Sequence, residues 1–210
     1  MTMAQKHGRL TLLIRSTLIG LAFIGSAWAA DVNTLVEDCA SCHGKDGASS
    51  DSDVPIIGGY SAKYLTDSLN NYKNKARPCP PVKHGSGPNK GKETDMCTVA
   101  GKLADADIKA LADHFAAKPF VRAKQTVDAA KAARGKQIQE AQCEKCHDKG
   151  GSSADDDAGI LAGQWMPYLR HSFEEFSSGK RPMPKKMKPK FEKITPDDVD
   201  ALVNYFGSFK

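Results

Sequence analysis

Two pentapeptides, Cys39-Ala40-Ser41-Cys42-His43 and Cys143-Glu144-Lys145-Cys146-His147, constrain this chain more than any other feature. Each has the C-x-x-C-H spacing of c-type haem attachment. Two thiols so spaced stand about one helical turn apart. They reach the two vinyl groups on one haem edge, and the adjacent imidazole faces the iron. A zinc half-site needs no histidine directly after the second cysteine, and a thioredoxin-like pair needs a βαβ context that the sequence lacks. The motifs therefore predict two covalently attached haem c groups, bonded to Cys39, Cys42, Cys143 and Cys146, with His43 and His147 as proximal iron ligands.

The motifs are part of a longer repeat. From Cys39 to Pro78 the chain matches itself at an offset of 104, pairing Ile56-Ile57 with Ile160-Leu161, Gly59 with Gly163, Tyr64-Leu65 with Tyr168-Leu169 and Arg77-Pro78 with Arg181-Pro182. Farther on the offset is 91, pairing Met96 with Met187, Leu103 with Ile194, Leu111 with Leu202 and Phe115 with Phe206. The first copy thus carries 13 extra residues between Pro78 and Met96. The reading is a domain over 30–117, a connector over 118–134 whose alanine-rich stretch is open to a helix, and a second domain over 135–210 whose first helix begins with Gly135 and Ile138.

Apolar periodicity makes both halves all-α, with no alternating strand pattern. Ile108, Leu111, Ala112 and Phe115 form the i, i+3, i+4, i+7 stripe of a closing helix, matched by Val199, Leu202, Val203 and Phe206. Ser61 is placed to cap an earlier helix, and Thr195-Pro196-Asp197-Asp198 supplies a cap, a first-turn proline and a capping-box acid. Domains of about 90 residues with long loops hold a small apolar core, so haem must complete it and the haem-free chain is expected to fold poorly.

Residues 1–29 read as a secretory signal peptide: Lys6, Arg9 and Arg15, an apolar run from Leu18 to Gly25, then Ala27-Trp28-Ala29. The run is too short to span a bilayer, and no later one approaches that length. With covalent haem, this points to the bacterial periplasm. Cleavage after Ala29 leaves 27 Lys and Arg against 25 Asp and Glu. A net charge so near zero gives no reason to expect a nucleic-acid partner.

A methionine in the sixth position raises the potential for electron transfer. In the first half Met96 is the only methionine after the haem motif; in the second the repeat selects Met187, with Met183 as runner-up and Met166 assigned to the core. His84, His114 and His171 are alternative ligands on composition alone. Cys79 and Cys97 bracket the extra residues and are expected to form a disulfide in an oxidising compartment; Cys97 as a thiolate ligand is the alternative. Lys180, Arg181, Lys185, Lys186, Lys188 and Lys190 surround the second methionine, either as a solvated loop or to steer an acidic redox partner. The glycine-rich stretch Gly85–Lys92 lacks phosphate-loop spacing, and no G-x-G-x-x-G occurs.

With these features placed, the chain resembles the dihaem cytochrome c4 family. Its second half, through Gly150-Gly151, Ile160-Leu161-Ala162-Gly163-Gln164-Trp165, Pro167-Tyr168-Leu169, Arg181-Pro182-Met183 and Lys185-Lys186-Met187, is similar to the cytochrome subunit of flavocytochrome c sulfide dehydrogenase. The insertion departs from that pattern. The resemblance implies two tandem class I cytochrome c domains with haems close together. It also implies a flavoprotein that oxidises sulfide and passes electrons to this chain, which is not itself catalytic, with a small cytochrome or oxidase as acceptor. Alternatives are a free-standing cytochrome c4 serving a terminal oxidase, and a dihaem enzyme of the thiosulfate dehydrogenase or peroxidase type.

Overall fold

The computed structural model describes residues 31–155 and 157–210 together with the first two residues, so the signal-peptide reading lies outside the described residues. The first repeat builds α1 (Val32–His43), α2 (Ala62–Lys73), strands β1 (Val82–Lys83) and β2 (Glu93–Thr94), α3 (Met96–Ala100) and α4 (Asp105–Ala116). Caps fix where these helices start. Asp31 accepts from the Asn33 amide at 3.2 Å, Ser61 from the Tyr64 amide at 3.0 Å, and Asp95 from the Thr98 amide at 2.8 Å. The stripe on α4 is buried, as its period requires, and packs with Tyr60, Leu65 and Leu103.

The second repeat supplies α5 (Ala129–Ile138), a π-turn (Gln139–Cys143), the single turn α6 (Asp148–Gly151), α7 (Met166–Ser177), α8 (Lys188–Phe191) and α9 (Pro196–Gly207). Thr195 and Asp198 close a reciprocal capping box at the start of α9. Leu169, Leu202, Val203 and Phe206 form the core, each burial being worth about 1.5–3 kcal/mol. α5 crosses α9 at Gly135, where any Cβ would run into the Ala201 carbonyl. Only glycine allows that approach.

One feature departs from the sequence reading, and one moves a boundary in it. The insertion is a short antiparallel hairpin, with Val82 opposite Thr94 and Lys83 opposite Glu93. Two-residue strands are too short to show alternation, which is why the pattern hides them. The alanine-rich stretch of the connector is helical, as the sequence allows, but it runs without a break from Ala129 into Gly135 and Ile138, so that helix begins before residue 135; Asp128 caps it by accepting from the Ala130 and Lys131 amides at 2.9 and 3.0 Å. What precedes it has no regular secondary structure and is pinned to the second half, the Ala123 amide donating to Gly163 O at 2.7 Å.

The halves pack through reciprocal contacts that follow the repeat. Tyr60 Oη donates to Ile160 O at 3.2 Å; Gln164 Nε2, at the equivalent position, donates to Ile56 O at 2.9 Å. Within each half Gly59 donates to Phe115 O and Gly163 to Phe206 O, at 2.9 and 2.7 Å. One surface thus meets its own copy, the isologous pattern of a two-fold dimer built within one chain.

Candidate haem sites

α1 carries Cys39, Cys42 and His43 as one unbroken helix, so the two thiols lie a turn apart. His43 is buried, and its Nδ1 lies 2.9 Å from Pro55 O. A carbonyl only accepts, so Nδ1 carries the proton and the Nε2 lone pair is left for a metal. Burial lowers the His43 pKa, and the Pro55 carbonyl offsets part of this. The imidazole therefore remains neutral, the form that ligates.

Cys39, Cys42, His43 and Met96 line one apolar crevice with about 1310 Å³ of open space, part of it continuous with solvent. Val54, Leu65, Leu69 and Leu111 are among its walls. Burial pushes the Cys39 thiol up to about 12, with Asp38 adding to the effect. Met96 opens α3 directly after its Asp95 cap. The adjacent Cys97 is disulfide-bonded to Cys79, Cα atoms 5.7 Å apart, which anchors that turn to the end of the loop after α2 and occupies the Cys97 sulfur. His84, on the hairpin, lies 2.7 Å from Ser41 Oγ and also lines the crevice; so does His171, whereas His114 packs edge-on to Phe115.

The second motif sits differently. α5 gives way to the π-turn ending at the half-buried Cys143, Cys146 is exposed, and His147 follows beyond the turn. Fully buried Gln139 steers this segment by donating from Nε2 to His147 O at 2.7 Å. Met187 immediately precedes α8, which packs against the π-turn, so the motif and the proposed methionine share one region. Met183 lies upstream in the loop after α7 and, like Met187, is partly buried. Burial pushes the Cys143 thiol up to about 11, with Lys190 acting in the opposite sense.

Between the halves lies a polar cluster that motif reading passes over. Arg77 stacks on Tyr72 and Arg181 on Phe176, each guanidinium carbon 4.4 Å from the ring centre, again at repeat-equivalent positions. Both reach Glu175 of α7, Arg77 at 3.4 Å and Arg181 at 3.7 Å, and Arg181 also donates to Tyr64 Oη at 3.4 Å. Burial pushes the Tyr168 phenol up, but Arg77 and Arg181 outweigh it and hold the phenol below its ordinary value. Among the described residues the buried Nε of Arg77 has no hydrogen-bond acceptor. A haem carries two carboxylates, and this donor set with an uncommitted buried N–H fits them. The apolar walls, paired thiols and neutral imidazole fit the macrocycle and its iron. The signal for the cluster was in the sequence, as Arg and Tyr recur in register in both repeats.

Comparison with known proteins agrees with this construction. Residues 29–116 match the family described as cytochrome c, and residues 130–206 match the one described as cytochrome C oxidase, cbb3-type, subunit III. Cytochrome c4 of Azotobacter vinelandii is 31% identical over 179 residues, covering 81% of this chain and 82% of that protein. The chain belongs to the cytochrome c4 family.

As a cytochrome c4 it carries two covalent haem c groups, one in each half, and serves electron transfer. Cytochrome c4 of Stutzerimonas stutzeri is 27% identical over 205 residues, covering 90% of this chain and 95% of that one. A cytochrome c4 structure from Acidithiobacillus ferrooxidans superposes with a TM-score of 0.65 at 27% identity, covering 82% of this chain and 99% of that one. A thiosulfate dehydrogenase from Marichromatium purpuratum shares the fold, with a TM-score of 0.66 at 24% identity. This chain covers 39% of it. Among the described residues no helix is long and apolar enough to cross a membrane.

Proposed function

We propose that His43 with Met96, and His147 with Met187, ligate the two haem irons, and that the chain relays electrons in the periplasm as the cytochrome subunit of a sulfide-oxidising flavoprotein. When bound, each haem supplies a one-electron iron couple, so two of them accept in single steps what a two-electron donor releases. The chain's own part is to hold and shield these groups. The Pro55 carbonyl fixes the His43 ring. The Asp95 cap and the Cys79–Cys97 disulfide fix the turn that presents Met96, the apolar crevice walls limit contact with water, and Gln164 and Tyr60 lock one half against the other.

The observation that carries the relay is the gathering of Cys39, Cys42, His43 and Met96 into one apolar crevice. The flavoprotein partner rests on the sequence of the second half. A free-standing cytochrome c4 passing electrons to a terminal oxidase is the second reading, favoured by the near full-length similarity to cytochromes of that name. Purification from native periplasm under mild conditions separates them. A flavoprotein retained at one copy per chain supports the first reading, and a dihaem protein that elutes alone and is oxidised by membranes supports the second.

A further inference from the structure

We propose that Glu175 tunes the first haem, holding its reduction potential below the value that the two neighbouring arginines alone would set. This rests on the reading of His43 and Met96 as that haem's ligands. Glu175 belongs to α7 of the second half, yet it lines the crevice of the first, and it is 4% exposed. One carboxylate oxygen faces Arg77 and Arg181 at 3.4 and 3.7 Å; the other faces His171 Nε2 at 3.3 Å.

Several contacts across the interface are reciprocal, but this one is not. The offset of 104 places Asn71 where Glu175 stands, and Asn71 is an exposed neutral amide. At this pair of equivalent positions, therefore, there is a single carboxylate, supplied by the second half to the crevice of the first. A charge removed from water acts strongly on its surroundings, because little solvent screens it. A negative charge on the crevice wall opposes the addition of an electron there, while Arg77 and Arg181 favour it. Glu175 answers both guanidiniums at once. In the half-reduced molecule it shifts the electron toward the second haem, giving the relay a direction that two identical halves would lack.

The test is a spectroelectrochemical titration of the intact dihaem protein with Glu175→Gln and Glu175→Asp. Glu175→Gln keeps the shape and removes the charge; the first haem's potential rises, the second moves less, and the first gains share of the electron in the half-reduced protein. Glu175→Asp keeps the charge and stays near the parent. Potentials unmoved by Glu175→Gln, or moved equally by Glu175→Asp, overturn the assignment. Should Glu175→Gln not accumulate, redox-difference infrared spectra of the parent, with and without ¹³C-glutamate, read the same interaction: a glutamate carboxylate band responds to reduction of the first haem, and a silent one overturns the proposal. The ligand reading fails on a separate observation, the lack of methionine-ligated spectra in the parent.

Discussion

Gln164→Ala tests whether the two halves are held by directed hydrogen bonds or by packing alone. The Gln164 side chain is fully buried, donates to Ile56 O and Tyr60 Oη at 2.9 Å each, and accepts from the Ile56 amide at 3.0 Å. Truncation strands both backbone groups of buried Ile56 and takes an acceptor from the part-buried Trp165 amide, while Tyr60 Oη keeps its bond to Ile160 O. A buried group left unpaired costs about 1–3 kcal/mol, so two cost about 2–6, and we expect about 4 kcal/mol. At about 2–4 °C per kcal/mol for a chain of this length, the midpoint falls by about 8–16 °C. The assay is urea and thermal unfolding of the dihaem protein, followed at both the haem and far-ultraviolet bands so that separate melting of the halves is visible. Gln164→Met is the decisive companion, since it fills similar volume without the polar atoms. If Gln164→Ala costs less than about 1 kcal/mol, or if Gln164→Met restores most of the loss, the hydrogen-bond argument is refuted.

Met96→Ala and Met187→Ala should each remove the methionine-ligated optical signature and lower the potential of one haem, leaving the other intact; spectra that do not change refute the ligand assignments. Replacing Cys79 and Cys97 together by serine frees an 18-residue separation and should cost on the order of 3 kcal/mol in urea unfolding, with Met96 ligation more easily displaced by added imidazole. Asp198→Asn should cost about 1 kcal/mol at neutral pH through loss of the α9 capping box. The Thr195 hydroxyl and amide, with Arg134, hold the Asp198 carboxyl below its ordinary value of 3.8. That stabilisation is complete above the ordinary value and fades as pH falls through the lower folded-state value, so stability curves of variant and parent should converge in strong acid.

The helices were legible because their signals are local. The α4 stripe, the Ser61 cap and the Thr195–Asp198 box each lie within one or two turns of chain, and the structure places them where spacing puts them. The hairpin was not, since two residues per strand carry no period. The start of α5 hung on Asp128, one cap residue in a stretch read as connector. The interface escaped for a different reason: Gln164, Arg77 and Glu175 act across about 100 positions of sequence, and polar residues in an apolar run show no partner until the chain is folded. The repeat held a clue, because Tyr64 and Arg77 recur as Tyr168 and Arg181 while Glu175 does not recur.

The buried bonds of Tyr60 and Gln164 hold the two halves face to face, and the connector is tied at Ala123 to Gly163 rather than left as a free hinge. The gap between its two centres is then expected to be the same in water and in syrup. Transfer between them then has no rocking motion to wait for, and its rate should ignore viscosity, unlike that of carriers whose domains must turn to meet.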